Sequence, residues 1–525
     1  MPRTGPAPNW TRQISRRTGL DVHSDRIRSI AIVGGGAAGW LAAATLARLL
    51  KPAFCEVRLL DSGQQLPGPI SESALPSFHR LNSLLGINEQ DLMQRTSATF
   101  KLGAQFVDWS RPGESYFHSF GSLAAKLEAV AFHHHWLRLH QAGLGGAFED
   151  YSPATVAAKQ GRFARPVADR QSVLSRYSYG YHFHAASLSV YLREYAQAHG
   201  VTRIERPIAE VRLRAEDGFV DALQLDDGSS VRADLYVDCT GGQNLPCQQP
   251  YRSPHIDWSH WLPCDRALAL PCRGEGPLPP YSQSIARSSG WQWRVPLQHC
   301  SDSGYAYASR FTSDDQATAL LLSDLPGVAL AQPRLLRLSP GRPARFWDRN
   351  WLVLAGSALE PLESTGLHLV QTGIARLMTF FPVSRFSPND LEEYNRLTIM
   401  EHERIRDFLI LHYKATARGD SPFWTYCRNM SITDTLRAKI ELFKDSGRLS
   451  VLEEEHFGDE SWLSVLLGQS LTPSGYDPLA DVLGIEEVTA ALGFMRAKIR
   501  TAVDALPMHE QFIEQQCQAN FMGAP

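Results

Sequence analysis

The sequence predicts an α/β protein with a Rossmann-like dinucleotide module, an antiparallel β-meander and a mostly helical C-terminal region. Three observations lead to this prediction. An apolar run breaks into a glycine-rich turn at residues 34–39, and Asp-Gly pairs separate alternating apolar runs between residues 208 and 238. Amphipathic helical spacing dominates after residue 391. The parallel module is therefore expected early in the chain and the helices late.

The length and charge of the chain exclude several classes of function. A length of 525 residues suggests two or three modules, or one large discontinuous fold. The formal net charge of -3 provides no basic field that would attract nucleic acid. No apolar run approaches the roughly 18 to 20 residues that span a bilayer. We therefore expect neither a nucleic-acid partner nor a membrane partner.

Cysteine and histidine usage gives no sign of a metal site. The eight cysteines include no C-x-x-C pair, so neither a disulfide scaffold nor a structural zinc site is expected. Three adjacent histidines at 133–135 point in different directions on a helix and cannot together chelate one ion. Solvated or core histidines are the better interpretation. A protein of the reduced cytoplasm without bound metal is predicted.

The turn at Gly34, Gly36 and Gly39 has Gly-x-Gly-x-x-Gly spacing between a predicted strand and a predicted helix. The first glycine permits the turn, the second lets the backbone approach a pyrophosphate, and the third lets the helix pack on the strand. Asp61 ends the next apolar run, where an acidic residue would hold a ribose hydroxyl. This stretch alone leaves NAD and FAD open as the dinucleotide.

The segments after Asp61 are predicted from their breakers and their periods. Residues 64–76 are expected to form a loop because three prolines interrupt them, and residues 77–95 look helical. Residues 99–109 alternate as one half-buried strand, which places Lys101 opposite the apolar face.

Three alternating runs at 208–213, 219–225 and 231–238 are separated by Asp217-Gly218 and Asp227-Gly228. Asp-Gly between alternating runs is the strongest short signal of a hairpin, so these runs predict an antiparallel meander. A second glycine turn follows the last run. A parallel nucleotide unit followed by a meander and a second glycine turn is the layout of FAD domains, which favours FAD over NAD.

These patterns predict the following domain organisation. Residues 1–27 form a disordered polar tail, and residues 28–390 form an FAD-binding module. Two aromatic-rich stretches inside that module, at about 110–165 and 250–300, are interpreted as insertions that contribute to a substrate site. Residues 391–525 form a helical region that caps the substrate.

Four segments together resemble the flavin-dependent tryptophan halogenase family. They are Gly34 to Trp40, Phe100-Lys101, Trp291 to Pro296 for the family's Trp-x-Trp-x-Ile-Pro, and Leu359 to Gly366, which reads Leu-Glu-Pro-Leu-Glu-Ser-Thr-Gly. Softer similarity extends over about residues 28 to 430. The resemblance implies an FAD-binding fold of the flavin monooxygenase and halogenase type. It also implies an oxidoreductase that uses reduced FAD, oxygen and chloride or bromide to make hypohalous acid for an aromatic substrate.

The resemblance assigns the central chemistry to Lys101 and Glu363. Lys101 would receive the hypohalous acid, either through a hydrogen bond or as a haloamine, since a partly buried ammonium is a directional donor. Glu363 would stabilise the cationic ring intermediate and remove the ring proton. Backbone N–H groups of Thr365 and Gly366 would hold the halide ion. Without the flanking match, a solvated strand lysine and a helix-capping acid would be the simpler interpretations.

Contacts to the cofactor and to the substrate ring are also implied by the resemblance. The residues expected to contact FAD are Gly34, Gly36, Ala38, Gly39, Asp61, Ser62, Ile70, Ser73, Ile208, Trp291, Trp293 and Leu367. From the pattern alone, Trp291 and Trp293 would be core aromatics on one face of a strand. His118, Phe120 and Trp462 would sandwich the substrate, because stacking orients a planar ring at little entropic cost.

Departures from the family pattern change what is expected of the substrate. Residues 71–76 read Ser-Glu-Ser-Ala-Leu-Pro where the family usually has Gly-Glu-Ala-Thr-Ile-Pro, and the approach to Leu359 is shorter. Phe457 falls where the family has a glutamate that clamps the ammonium of tryptophan. Unpaired buried charge is expensive, so a site without that clamp should not bind a zwitterion. An electron-rich, indole-like arene other than free tryptophan is therefore predicted.

The expected partners follow from what the sequence lacks. No nicotinamide motif is visible, so a separate NAD(P)H-dependent flavin reductase should supply the reduced FAD. A small aromatic substrate is expected, and a homodimer is one option for the assembly. Two other functions stay open at this point: a flavin-dependent hydroxylase or monooxygenase on the same scaffold, and a non-catalytic flavin-binding homologue.

Overall fold

The computed structural model of the chain describes residues 26–63, 70–123, 130–241, 253–274, 276–355, 360–382, 386–452 and 455–519. The predicted tail at 1–27 lies outside these residues except for Arg26 and Ile27, and Ile27 is buried. Leu359 and Gly242, which belong to predicted motifs, also lie outside them.

The strands are, in chain order, β1 (Ser29–Val33), β2 (Glu56–Asp61), β3 (Ser71–Ala74), β4 (Thr99–Lys101), β5 (Gly103–Val107), β6 (Ser115–Ser119), β7 (Gly180–His184), β8 (Thr202–Glu205), β9 (Ile208–Leu213), β10 (Val220–Leu225), β11 (Ser230–Val231), β12 (Leu235–Asp238), β13 (His255–Asp257), β14 (Arg266–Gly274), β15 (Ser282–Arg287), β16 (Gly290–Pro296), β17 (Ser301–Tyr307), β18 (Gly327–Ala329), β19 (Arg334–Arg337), β20 (Gly341–Pro343), β21 (Trp347–Asp348) and β22 (Trp351–Val353).

The α-helices are α1 (Ala37–Leu50), α2 (Phe78–Leu85), α3 (Glu89–Arg95), α4 (Phe132–Gln141), α5 (Pro153–Lys159), α6 (Ala185–Ala198), α7 (Asp314–Ser323), α8 (Gly366–Thr379), α9 (Pro388–Lys414), α10 (Pro422–Asn429), α11 (Asp434–Ser446), α12 (Asp459–Gly468), α13 (Ile485–Asp504) and α14 (His509–Gln516). Short 3-10 turns lie at Phe148–Tyr151, Val173–Ser175, Leu362–Ser364 and Pro478–Asp481.

The chain divides into two compact units, and each unit is assembled from three separate stretches. Unit 1 comprises residues 1–96, 184–257 and 339–402, and unit 2 comprises residues 97–183, 258–338 and 403–525.

Unit 1 contains a six-stranded sheet in the order β21-β22-β12-β1-β2-β8. The sheet is parallel except at its β21 edge. Interior strand β1 is a continuous apolar run, as parallel strands buried on both faces require. Helix α1 packs against β2 and against helices α6 and α8. The predicted Rossmann-like module is confirmed.

The predicted meander is confirmed for β9, β10 and β11, which pair antiparallel in one sheet of unit 1. The prediction that residues 231–238 form a single strand of the meander is wrong. The second half of this run, β12, instead pairs parallel with β1 in the six-stranded sheet. Every residue of β12 is buried, which matches an interior parallel strand and not a half-buried hairpin strand.

Unit 2 is built on a sheet in the order β18-β14-β17-β16-β15-β5-β6, with β19 also paired to β14. Its pairs are antiparallel except for the parallel pair β15–β5. Helix α7 covers part of this sheet through a core that includes Leu268, Tyr305 and Leu321. Within the aromatic-rich stretch at about 250–300, strands β14, β15 and β16 are integral members of this sheet.

Two of the predicted segments need correction. Residues 99–109 are not one strand, because β4 and β5 belong to different sheets. The second strand, β5, begins at Gly103, where a Cβ atom would lie 2.3 Å from the carbonyl oxygen of His118. In the predicted loop at 64–76, residues Ser71–Ala74 form strand β3, since the prolines flank this stretch and do not interrupt it.

The three adjacent histidines at 133–135 are core residues of helix α4. His133 Nε2 lies 2.9 Å from the carbonyl oxygen of Gly447, and burial lowers the pKa of His134 to about 4. Within the described ranges, no group of His, Cys, Asp or Glu side chains is arranged to hold a metal ion. No helix in the part of the chain that the structure describes is long and apolar enough to cross a membrane.

The cysteines are largely shielded from solvent. Six of the seven cysteines that the structure describes are buried, and Cys300 is half-buried. Burial raises the pKa of the Cys55 thiol to about 12 and that of the Cys300 thiol to about 11.

Candidate active site

The glycine turn of unit 1 has the geometry of an anion-binding loop. Gly34 has a φ of 115°, and a Cβ atom on Gly39 would lie 1.8 Å from the carbonyl oxygen of Gly34. These two glycines are therefore required by the fold itself. A Cβ atom on Gly36 would instead meet nothing within 4 Å, so this position borders open space.

The first turn of helix α1 lies at this open position. Gly36 is its N-cap residue, no side chain caps the helix, and its first turn contains no acidic residue. Uncapped N–H groups at the positive end of the helix dipole favour an anion. The loop therefore fits the pyrophosphate of a dinucleotide.

Asp61 lies at the end of β2, as predicted, but its carboxylate already has partners. Its Oδ2 atom is 2.9 Å from Nε of Arg203 on the neighbouring strand β8, and its Oδ1 atom accepts a hydrogen bond of 2.7 Å from the Gly63 N–H. The role of Asp61 at a ribose hydroxyl stays a prediction. In that role, the carboxylate would bind the hydroxyl while it also pairs with Arg203.

The remaining predicted FAD contacts in unit 1 differ in exposure. Ile70 and Leu367 are buried, whereas the others are partly exposed; these are Ala38, Ser62, Ser73 and Ile208. Ser73 lies on β3, which packs against helix α8 and against the turn Leu362–Ser364. The structure thus brings strand β3, which lies in the altered stretch at 71–76, beside the turn that carries Glu363.

The turn at Glu363 has an unusual backbone. Glu363 and Ser364 have φ values of 62° and 58°, so two successive residues other than glycine occupy the left-handed region. Such conformations cost roughly 1–3 kcal/mol each and cluster at functional sites. Thr365 makes no side-chain cap to helix α8, and a Cβ atom on Gly366 would meet nothing within 4 Å. The N-terminus of α8 is therefore not closed by the Thr365 side chain.

Lys101 in unit 2 is buried, with 1% of its surface exposed, so the interpretation as a solvated lysine is wrong. It lies on β4, and its Nζ atom is 5.7 Å from the ring centroid of Phe120. The opposite face of β4 carries Phe100, which stacks on Phe163 at 4.1 Å. The structure therefore brings Lys101 together with one of the predicted substrate-stacking rings.

His118 and Trp462 belong to a buried aromatic cluster that also contains Phe408 and Phe457. The His118 ring lies 5.5 Å from Phe408 and 5.9 Å from Phe457. Phe408 stacks on Phe457 at 3.9 Å and meets Trp462 edge to face at 5.2 Å. Strand β6, helix α9 and helix α12 position three of these rings.

A paired charge borders this aromatic cluster. Nζ of Lys439 lies 4.7 Å from the ring centroid of Trp462 and 2.7 Å from Oε1 of Glu455. Only 5% of the Glu455 side chain is exposed. The carboxylate beside the cluster is thus neutralised within the protein.

Trp291 and Trp293 are packed as core residues. Trp291 is 1% exposed, and its ring lies 6.2 Å from Trp109 and 5.9 Å from Trp293. A Cβ atom on Gly304 would lie 1.9 Å from the Trp293 ring, so the indole lies directly over this glycine. Their assignment to the flavin face stays a prediction.

The match to known proteins decides the family. The family model described as tryptophan halogenase matches residues 29–484. The chain belongs to the tryptophan halogenase family. Tryptophan 7-halogenase KtzQ of Kutzneria sp. (strain 744) is 31% identical over 443 residues, which are 80% of this chain and 82% of the relative.

Two solved structures of flavin-dependent halogenases have the same fold as this chain. Xcc4156 from Xanthomonas campestris is 38% identical with a TM-score of 0.91, over 95% of this chain and 100% of that chain. BrvH from Brevundimonas sp. BAL3 is 39% identical with a TM-score of 0.90, over 94% of this chain and 99% of that chain.

The protein is therefore a flavin-dependent halogenase and an oxidoreductase, and the α/β halogenase-type fold is confirmed. The hydroxylase and non-catalytic alternatives are not favoured. The family implies FAD, and the open glycine loop with its uncapped helix fits such a cofactor.

The sequence missed a buried polar network in unit 1 of this halogenase. Glu401 lies 3.3 Å from Nε2 of His368 and 2.9 Å from Arg376. Burial raises the pKa of Glu401, but His368 and Arg376 outweigh it and hold the pKa at about 2. The Oγ atom of Ser77 lies 3.4 Å from Nδ1 of His368. Nothing in the local sequence signals this network, because its members lie on three separate helical segments.

Proposed function

We propose that this halogenase transfers an oxidised halogen to an uncharged, electron-rich arene such as indole, and not to free tryptophan. One observation carries the proposal. The rings around His118 are aromatic and buried, Phe457 is one of them and stacks on Phe408, and the buried Glu455 is already paired with Lys439. A zwitterion in this cluster would leave buried charges unpaired. An uncharged ring would pay only a small desolvation penalty on binding there.

Bound reduced FAD, with oxygen, supplies the oxidising equivalents that convert a halide to hypohalous acid. The loop at Gly34–Gly39 binds the pyrophosphate, and Asp61 holds the ribose beside its ion pair with Arg203. The other predicted contacts in unit 1 would hold the rest of the cofactor. Backbone N–H groups at Thr365 and Gly366 bind the halide ion, as an uncapped helix start can.

Lys101 holds the hypohalous acid next to the substrate ring. Its burial favours this role, because a hydrogen bond from an ammonium is stronger where water is excluded. His118, Phe120 and Trp462 orient the ring by stacking. Glu363 accepts the ring proton from the cationic intermediate, and its buried carboxylate lies on the strained turn.

The proposal is tested with a panel of arenes that includes indole and L-tryptophan. The assay contains the purified halogenase, FAD, NADH, oxygen, a generic flavin reductase, and either bromide or chloride. Mass spectrometry should detect the halogen isotope pattern in indole-like products. Omitting the reductase should abolish the product, because a separate reductase supplies the reduced flavin. Saturable turnover of free L-tryptophan at low concentration would overturn the substrate assignment.

A further inference from the structure

His182 lies beside Lys101 on the same face of a two-strand pair in unit 2. Strands β4 and β7 pair antiparallel, with Thr99 opposite His182 and Lys101 opposite Gly180. Thr99 and Lys101 share one face of β4 because side chains alternate along a strand. His182 is therefore diagonal to Lys101, within reach of its long side chain, and Gly180 places no side chain opposite the lysine.

The hydrogen bonds of Thr99 fix the tautomer of His182. The Thr99 hydroxyl donates its single proton to the Pro296 carbonyl oxygen at 2.7 Å. The same oxygen must then accept the hydrogen bond of 2.9 Å that joins it to Nδ1 of His182. Nδ1 therefore carries the proton, and Nε2 carries a lone pair.

The lone pair of His182 Nε2 is buried and unused in the structure. The His182 side chain is fully buried, and Nε2 has no hydrogen-bond partner among the residues that the structure describes. Burial, together with the charge of Lys101, lowers the pKa of His182 well below its usual range, so the ring is neutral. A buried acceptor without a donor is unfavourable, so a neighbouring side chain that can reach Nε2 should supply one.

Lys101 is the charged neighbour that acts on His182, and neither helix α14 nor strand β16 offers Nε2 another donor among the described groups. From helix α14, His509 approaches the pair, but its Nε2 accepts from the Phe100 N–H at 3.3 Å and its Nδ1 lies 2.9 Å from the Leu278 carbonyl oxygen. Burial lowers the pKa of His509 to about 4, so it has no further proton to offer. Strand β16 contributes only the carbonyl oxygen of Pro296 at Thr99.

We propose that His182 Nε2 accepts a hydrogen bond from the Lys101 ammonium and so keeps Lys101 charged, as a donor to hypohalous acid and not as a haloamine. His182 acts through Lys101 and is thus a positioning residue. This inference rests on the proposed role of Lys101 and chooses between the two roles that the sequence left open.

The proposed step balances without a bond between lysine and halogen. The arene carbon attacks the halogen, the halogen–oxygen bond breaks, and the departing oxygen takes one ammonium proton and leaves as water. Arene, hypohalous acid and ammonium thus give the halogenated ring cation, water and a neutral amine. A haloamine would need the amine lone pair before this step, and an ammonium held by His182 has none.

Two substitutions separate this role from a purely structural one. His182→Gln retains an acceptor near the Nε2 position, whereas His182→Asn retains a donor toward Thr99 but loses the distant acceptor. Because the chain has eight lysines, ¹³Cε-lysine labelling allows the Lys101 signal to be assigned with Lys101→Arg and titrated. This titration needs neither flavin nor turnover.

In His182→Asn, we expect the Lys101 titration midpoint to fall by about one to two pH units, the size of one hydrogen bond to a charged group. The alkaline limit of halogenation should fall by the same amount, and His182→Gln should stay near wild type. The matched control His509→Gln should lower stability without moving the Lys101 midpoint. The proposal is overturned if the Lys101 midpoint shifts more in His182→Gln than in His182→Asn, or if it shifts in neither variant.

A measurement on the wild-type protein covers the case in which the variants do not fold. ¹⁵N-histidine NMR at neutral pH should show a neutral His182 with its proton on Nδ1, and a proton on Nε2 would overturn the proposal. Lys101→Met distinguishes this inference from the proposed function. If Lys101→Met halogenates like wild type, the role of Lys101 itself fails. If it is inactive while His182→Asn leaves the midpoint unchanged, only the role of His182 fails.

Discussion

Units 1 and 2 of this halogenase bury different kinds of side chains. Unit 1 pairs its shielded carboxylates with arginines, such as Asp61 with Arg203 and Glu401 with Arg376. Unit 2 buries aromatic rings around His118 and the ammonium of Lys101, and its buried Glu455 is paired with Lys439. The first environment suits a charged cofactor that must be exchanged with solvent, and the second suits an uncharged ring and a reactive oxidant.

The largest expected effect comes from removing the ammonium in unit 2. Lys101→Met keeps the length and apolar packing of the side chain but removes its donor. We expect arene halogenation to fall by about 10² to 10³-fold, as for the loss of one preorganised donor. Binding of FAD, measured by fluorescence titration, should not change. Equal losses in halogenation and FAD binding would contradict the separate roles of the two units.

The matching change in unit 1 is Gly36→Val. Its side chain enters open space in front of the first N–H groups of helix α1, so the fold should persist while the cofactor is displaced. We expect the Kd for FAD to rise about tenfold or more, a loss of at least about 1.4 kcal/mol. The control Gly39→Val should fail to fold, because its Cβ would lie 1.8 Å from a carbonyl oxygen. Unchanged FAD affinity in folded Gly36→Val would exclude this loop as the pyrophosphate site.

A smaller effect is expected within the aromatic cluster. Phe457→Leu retains an apolar side chain but removes the stack on Phe408 at 3.9 Å. Under the proposed function this cluster stacks on the substrate, and an aromatic contact contributes about 0.5–1.5 kcal/mol beyond its buried area, so the KM for indole should rise about two- to tenfold. Steady-state kinetics with indole would show this change mainly in KM. A normal KM would mean that this ring lies outside the substrate site.

The smallest effects concern pH and stability, and they probe whether the units unfold together. Burial lowers the pKa of His402 in unit 1 and of His509 in unit 2 from 6.5 to about 4. The unfolded chain binds a proton at higher pH than the folded one, so this contribution is complete above pH 6.5 and is lost as pH falls toward 4. Lowering the pH from 7 to 5 should therefore reduce the free energy of unfolding by about 2 kcal/mol for each histidine.

Thermal unfolding of His402→Gln and His509→Gln at both pH values measures this loss. Each variant should show a shallower dependence on pH than wild type. If the units unfold separately, each substitution should flatten only one transition. If they unfold as one, both should flatten the same transition. A pH dependence identical to wild type in both variants would contradict neutral histidines at these positions.

The two units also differ in how far their features could be predicted from the sequence. The turn at Gly34–Gly39 was predictable because its conformation depends on neighbouring residues, and the sheet around β1 followed from its continuous apolar run. The split of 231–238 was not predictable, because the pairing of β12 with β1 depends on a partner far away in the chain. A strand buried on both faces and a short hairpin strand look alike over four residues.

The substrate cluster shows the same limitation more strongly. His118, Phe408, Phe457 and Trp462 come from distant segments, and Phe408 looked like any apolar residue of an amphipathic helix. The family resemblance identified His118 and Trp462 as substrate-stacking residues. It could not show that Phe408 lies between them. Likewise, His182 became visible as a neighbour of Lys101 only through the register of β4 and β7.

The buried thiols described above bear on how long one enzyme molecule keeps working. Hypohalous acid oxidises thiolates far faster than protonated thiols, because the thiolate is the nucleophile. With the pKa of Cys55 near 12 and that of Cys300 near 11, almost no thiolate exists at neutral pH. We expect such cysteines to react little with oxidant that escapes the active site, which would limit self-inactivation over many catalytic cycles.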